Sequence, residues 1–379
     1  MLLFEKYKYL FIIIKVIDMQ ELENLLFDTG ILLNDEGLTL LPNGVFIWNK
    51  IVSYLKNKFD KISYSEIYSS SLEDYVKEMS YLPCEHYSLS YSKNKIEFVS
   101  YGKYETEIEE ARNVTIDVLE IYNKLGKDLL AIPFLSGKDP FNQDNNILIT
   151  YQGEKNIESN YLGKYGSNYL SYSKISTDIL YTLIEMHRDE RGLVLPPKVS
   201  PYQIAIIPLK PNEKGVLKEC KRLYEELLKN GYRVYLGNST INKEKCITCG
   251  IPLIMEIGPR DLERNIIEVT CRDTLELKEF NNDHQFFDEV NWLLKKIQSR
   301  MYNKVLIKTT KSEKKVFNLG DLHNNKCEEV NKVMWCGDLN CLEQVKKHTN
   351  FISFNQQFHV GECLFCFKKA KHVISIIKK

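Results

Sequence analysis

The chain has 379 residues, with 51 Lys plus Arg balanced by 51 Asp plus Glu, for a formal net charge of zero. Hydrophobic residues make up 44% and charged residues 27%, which excludes a disordered or fibrous chain and leaves room for two or three domains with their own cores. Zero net charge also excludes nucleic-acid binding through a global field, so any such binding has to come from a local basic patch.

The first feature along the chain is the apolar run Tyr9–Val16, YLFIIIKV, interrupted by Lys15. It is too short to span a bilayer and lacks a small-residue cleavage site, so residues 1–18 read as an extension ahead of Met19. Residues 19–199 read as a mixed α/β region. Its best helix is Glu105–Leu130, with Ile108, Val114, Val118, Ile121, Tyr122 and Leu125 in roughly helical spacing. Leu129–Leu135, LLAIPFL, follows as a strand candidate.

Arg191–Leu209, RGLVLPPKVSPYQIAIIPL, reads as a junction. Leu193–Leu195 is apolar, Pro196 and Pro197 stop any ladder because neither carries a donor N–H, and Tyr202–Leu209 restarts as a buried strand. Residues 200–303 then run strand, helix, strand, strand, strand, helix. Glu213–Asn230 is amphipathic and stops at Asn230-Gly231. Arg233–Leu236, Ile251–Ile257 and Asn265–Thr270 read as strands, and Phe287–Tyr302 as a closing helix. Strand–helix–strand alternation predicts parallel pairing with a helix over the sheet. The polar stretch 304–332 reads as a linker.

The chain carries ten cysteines, four of them in its last eighth, a pattern of a reducing compartment and a metal site rather than a disulfide framework. Cys336-x4-Cys341 and Cys363-x2-Cys366, twenty-one residues apart, can supply four thiolates to one tetrahedral, structural Zn²⁺ within 333–379. His348 and His359 lie between the pairs as alternative ligands. Cys246-x2-Cys249, alone, reads as a redox pair, half a metal site, or two thiols beside a turn.

Several stretches resemble prolyl-tRNA synthetases of the archaeal and eukaryotic type. Met186–Arg191 with the Pro-Pro junction is similar to that family's third class-defining motif, which leads into its anticodon-binding domain. Gly250–Thr274, GIPLIMEIGPRDLERNIIEVTCRDT, resembles its G-[IV]-P-L-x-x-E-[IV]-G-P-R-D run. The flanks W-C-G-D-x-x-C and G-E-C-L-F-C-x-K-x-A-K resemble its zinc-bearing C-terminal domain. Gly37–Ile51, with Pro42, is similar to its first motif, which packs a dimer interface. Tyr104–Ala131 resembles the helix after its second motif, and Ser159–Tyr165 the loop bordering its amino-acid pocket.

The resemblance implies three parts: a reduced class II synthetase-like antiparallel-sheet domain over 19–199, an α/β anticodon-binding domain over 200–303, and a small zinc-binding C-terminal domain. It implies tRNA contacts, with tRNA-Pro the expected partner, from Glu256, Arg260, Asp261 and Arg272. Glu can accept from exposed base amino groups, and Arg can donate to guanine or stack on an unpaired base. Glu256, Arg260 and Arg272 are expected on one exposed patch; surface ion pairs are the alternative for each residue. Upstream, Asn238–Cys249 lacks the Pro and aromatic of the family's P-G-x-K-[FY] stretch.

The departures concentrate where the chemistry would be. Asn94-Lys95-Ile96-Glu97-Phe98 stands where the family has R-x-R-E-F, so both phosphate-binding arginines are lost and Glu97 is vestigial. The loop that holds proline has no counterpart in Tyr68–Tyr91. Asn160 replaces a pocket His, Asp178 an Arg, and Arg188 a Gly, leaving Arg191 as the remaining ATP contact. The expectation is a degenerate paralogue that binds tRNA in the cytoplasm, as a homodimer or with a full-length synthetase, without contact to membrane or DNA. ATP and Mg²⁺ enter only if the chain is active; an active ligase for proline or another small amino acid is the alternative.

Overall fold

The computed structural model describes residues 20–34, 38–59, 65–68, 87–91, 95–102, 120–138, 146–149, 155–165, 168–237, 242–325, 329–355 and 361–378. The apolar run at Tyr9–Val16, most of the expected proline loop, Asn94, residues 105–119 of the expected helix and His359 lie outside these. No helix among the described residues is long and apolar enough to cross a membrane.

Two compact units form, Met1–Ile51 with His187–Met301, and Val52–Met186 with Tyr302–Lys379. In the first, α1 (20–28) precedes a small antiparallel pair, β1 (Leu32–Asn34) and β2 (Leu38–Leu40), and then the start of α2 (Pro42–Phe59).

In the second unit come β3 (Ser65–Tyr68), β4 (Tyr87–Tyr91) and β5 (Lys95–Gly102), then α3 (120–125), which widens into a π turn at Gly126–Leu130. The strand expected at Leu129–Leu135 is corrected here: Leu129 and Leu130 end the helix, Ala131 takes a left-handed φ of 57°, and β6 begins only at Leu135 and runs to Lys138. β7 (Asn146–Ile149), β8 (Lys155–Tyr165) and β9 (Asn168–Ser176) follow, and α4 (Ile179–His187) carries the chain back to the first unit.

The core of the first unit is a five-stranded sheet. It comprises β10 (Ile204–Pro208), β11 (Val234–Leu236), β12 (Leu253–Ile257), β13 (Ile266–Cys271) and β14 (Leu277–Asn281), in the order β11-β10-β12-β13-β14. Residues 204–207 of β10 are all buried, as a central strand covered on both faces requires, and β10 pairs in parallel with both neighbours. The expected parallel pairing holds there, whereas β12, β13 and β14 pair antiparallel because short connections join them. Helix α5 (Val216–Lys229) buries Val216, Cys220, Leu223 and Leu227 along one face and ends before Gly231, whose φ of 81° suits glycine.

Two short helices, α6 (Lys243–Thr248) and α7 (Pro259–Arg264), carry too little periodicity to be read from sequence. The helix expected at Phe287–Tyr302, α8, runs Phe286–Ser312 and does not stop at Tyr302. The expected linker is therefore structured. After α8 come β15 (Glu313–Val316) and α9 (Leu319–Asn324), and β15 pairs in parallel with β16 (Val330–Trp335).

The remaining elements are α10 (Leu339–His348), β17 (Thr349–Asn355) and β18 (His372–Lys378). These C-terminal strands join an eleven-stranded sheet, ordered β15-β16-β18-β17-β6-β7-β8-β9-β5-β4-β3, through one pairing of Phe354 with Lys138. The segment expected as a separate domain over 333–379 thus shares a sheet with 52–186, while keeping its own core around Trp335, Leu342, Val345 and Ile374.

Candidate RNA-binding surface and metal centre

In the first unit β12 delivers Glu256 to its C-terminal end, where Gly258-Pro259 opens α7. Asp261 is 8% exposed, and its Oδ2 accepts the Gly258 N–H at 2.7 Å, capping the helix. Its burial together with that bond corrects Asp261 from a base-reading residue to a structural cap. Glu256 is half-buried and accepts from Lys243 Nζ at 2.7 Å. Arg260, one residue into α7, is exposed and has no partner among the described residues.

Arg272 departs furthest from expectation. It is 1% exposed; its Nη1 and Nη2 donate to the two Asp189 oxygens at 2.7 and 2.6 Å, and its Nε donates to the Ile247 carbonyl at 2.7 Å. A guanidinium so enclosed cannot meet a base, and the single exposed patch expected for Glu256, Arg260 and Arg272 is corrected on this point. The physical reason is the junction itself. Leu193 N–H donates to Thr248 O at 2.9 Å, and a Cβ on Gly250 (φ 73°) would come within 2.8 Å of Leu193 Cβ. Junction and α6 are interlocked, and Arg272 is the bolt between them. Arg233 secures the same junction, donating to Ser200 O at 2.9 Å and Pro197 O at 2.8 Å, with its guanidinium 5.5 Å from the Phe46 ring centroid.

Arg272→Ala is therefore expected to lower stability by about 1–3 kcal/mol, because it removes the donor of the Ile247 carbonyl and the tie to Asp189. Arg272→Lys should recover little, since an ammonium cannot make the bidentate pair. The midpoint of urea unfolding of the full chain checks both. A midpoint unchanged in Arg272→Ala would mean the pair does not hold the junction.

Cys246 and Cys249 line an apolar cavity of about 120 Å³ together with Ile31, Leu195, Tyr202 and Tyr235. Burial pushes the Cys246 thiol up to about 12 and raises Cys249 as well, and both lie at the C-terminal end of α6. Neither is the stabilised thiolate that a redox pair needs.

In the second unit Cys336 follows β16, Cys341 lies in the first turn of α10, and Cys363 and Cys366 flank a tight turn before β18. The four sulfurs lie within 4.8 Å of one another, and those of Cys336 and Cys366 are 3.6 Å apart. Four thiolates held tetrahedrally at Zn–S of 2.3 Å would be about 3.8 Å apart, so the cluster has the dimensions of a closed, structural site. Burial alone would raise the Cys363 thiol, but backbone N–H groups of Cys366, Phe365 and Cys336 aimed at its sulfur bring it down to about 7. Burial pushes Cys336 and Cys341 up. No other group of three or more such ligands gathers among the described residues. The side chains of His348 and His359 lie outside them.

Of the residues at the stretches expected to be degenerate motifs, Ile96 is 1% exposed on β5, paired with Tyr91 and Ile175. The side chains of Glu97 and Asn160 lie outside the described residues. Asp178 is exposed and accepts from Ser176 Oγ at 2.8 Å. The Arg191 side chain is exposed without a partner among the described residues, while its backbone N–H donates to Asp189 Oδ1 at 2.9 Å. Sequence reasoning missed Asp189 and Lys243 as partners of Arg272 and Glu256, for these pairs span long stretches of chain and leave no local pattern.

Residues 203–285, covering all five strands of the first sheet, match the family described as an anticodon binding domain. The chain is similar to the proline--tRNA ligase of Acetoanaerobium sticklandii, 31% identical over 71% of this chain and 64% of the relative. It is 29% identical to proline--tRNA ligase 2 of Bacillus cereus over 70% and 63%, and 31% identical to the proline--tRNA ligase of Oceanobacillus iheyensis over 70% and 63%. The matches span less than two thirds of the length of these relatives.

Proposed function

We propose that the chain is a prolyl-tRNA synthetase-like protein, of the archaeal and eukaryotic type, that binds tRNA through residues 203–285 and no longer activates proline. The observation that carries the tRNA part is the match of the five-stranded unit to an anticodon binding domain. Arg260 is the exposed, uncommitted cation at its turn, with Glu256, already paired with Lys243, at the adjoining strand end. An exposed guanidinium suits donation to, or stacking on, an unpaired anticodon base. tRNA-Pro is the partner, and the protein works in the cytoplasm as a dimer with itself or with a full-length synthetase.

The catalytic part of the reading rests on β5. Adenylate formation by a class II synthetase needs cations where charge develops on the α-phosphate. The position matching the second arginine of that motif holds Ile96, which is buried. Arg191 remains as a contact for the triphosphate tail, with Mg²⁺ as ATP's companion ion, only if ATP binds. The cysteine cluster fits Zn²⁺: Cys336, Cys341, Cys363 and Cys366 would hold it, and a closed thiolate shell makes it a structural ion without an open coordination position.

The names of the relatives favour a second reading, an active proline–tRNA ligase with a remodelled pocket. Both readings require tRNA binding. Arg260→Ala is expected to weaken binding of tRNA-Pro by about 1–3 kcal/mol at fixed salt. Filter binding checks this; an unchanged dissociation constant removes Arg260 from the contact, and equal affinity for every tRNA leaves only non-specific charge.

A further inference from the structure

The turn that holds Cys363 and Cys366 presents a residue that costs this chain twice. Phe367 is 71% exposed and has a left-handed φ of 59°. Its N–H donates to Cys363 O at 3.0 Å, and Cys363 N–H donates to Lys368 O at 2.8 Å, so the turn geometry fixes this conformation. Glycine takes such a φ without penalty, and a benzyl side chain does not. The ring also gains nothing from burial, since it projects from the turn while Leu364 packs into the core. A large apolar ring held in a disfavoured conformation, with no return from within the chain, points to a contact outside it.

The surroundings of the ring define that contact. Lys368, Lys369 and Lys371 are exposed, and none forms an ion pair among the described residues. Glu362 is the sole carboxylate from Gly361 to Lys371, so the turn carries a surplus of two positive charges among its side chains, thiols aside. A membrane-inserting tip or a protein hot spot would need further apolar surface next to Phe367, and the next residues are lysines instead. One exposed π-face flanked by cations matches one unpaired base with its adjoining phosphates.

We propose that the Cys363–Lys371 turn is a second RNA contact, in which Phe367 stacks on an unpaired base of single-stranded RNA and Lys368 and Lys369 meet the flanking phosphates. This inference rests on the tRNA-binding reading and extends it beyond residues 203–285.

The test uses the full chain, loaded with zinc, and fluorescence anisotropy with two probes, tRNA-Pro and a short unstructured oligoadenylate. Phe367→Gly is expected to weaken oligoadenylate binding about tenfold at fixed salt, the loss of one stacked base. It should leave the salt dependence unchanged and hold or raise the unfolding midpoint, because glycine relieves the strained φ. Phe367→Trp should bind as well as the unsubstituted chain. Replacing Lys368 and Lys369 by Ala should flatten the salt slope by about 0.7 per lysine.

Unchanged oligoadenylate binding by Phe367→Gly overturns the proposal, as does a fall in both binding and stability, which would mark a structural residue. Binding to phosphatidylserine vesicles that depends on Phe367, with RNA binding indifferent to it, overturns it in favour of a membrane contact. If Arg260→Ala weakens tRNA binding and Phe367→Gly leaves RNA binding intact, the second contact alone fails. If the unsubstituted chain binds neither probe, the tRNA reading fails with it.

Discussion

Removal of the metal with a strong chelator is expected to unfold the segment from Trp335 to Ala370 while leaving the five-stranded unit folded. Trp335 is 1% exposed and immediately precedes Cys336, so its indole reports on the cluster. Leu342, Val345 and Leu364 pack into the same core, and two of the four cysteines sit on the turn that folds back over it. Without the ion, four closely spaced cysteines lose the centre that binds them together. Structural zinc contributes on the order of 10 kcal/mol in isolated peptides, more than a core this small can replace. A red shift of tryptophan emission should follow chelation and disappear in Trp335→Phe, since Trp48 and Trp292 lie elsewhere. Cys363→Ser should reproduce it without a chelator. Less than about half an equivalent of zinc in purified protein would contradict the assignment.

Proline-dependent ATP–pyrophosphate exchange is expected to be indistinguishable from background. Loss of one preorganised donor at a developing charge costs roughly 10²–10³ in rate. On the proposed reading the second motif lacks two, at Asn94 and Ile96, and Ile96 is buried. Arg191 does not compensate: a contact to the triphosphate tail made equally in ground and transition states does not speed the step. The screen should include other small amino acids at saturating ATP. Robust exchange with any of them would mean that another cation, such as Lys95, Arg188 or Mg²⁺, has taken over, and the active-ligase reading would replace this one.

Much of the five-stranded unit was legible because its signals are local. The apolar run at β10, the amphipathic face of α5 with its Asn-Gly stop, and the two spaced cysteine pairs each declare themselves within a short window. The short helices α6 and α7 complete too few turns to show a period. β15 and α9 sit in a polar stretch whose strand depends on β16 for its pairing. The misreading of Arg272 and Asp261 has a different cause. Both are charged residues at turns, where exposure is the ordinary outcome, and their burial follows from partners: Asp189, distant in sequence, and the Gly258 amide. Phe367 could have been noticed, since a bulky residue directly after the second cysteine of a C-x2-C turn occupies a position that favours glycine.

The most direct measurement of the central claim is charging of tRNA-Pro with labelled proline by the full chain, at tRNA concentrations well above the dissociation constant measured on the same preparation. The account predicts tRNA that is bound, with affinity reduced by Arg260→Ala, and uncharged after prolonged incubation with ATP and Mg²⁺. Proline esterified to the bound tRNA above background would contradict it.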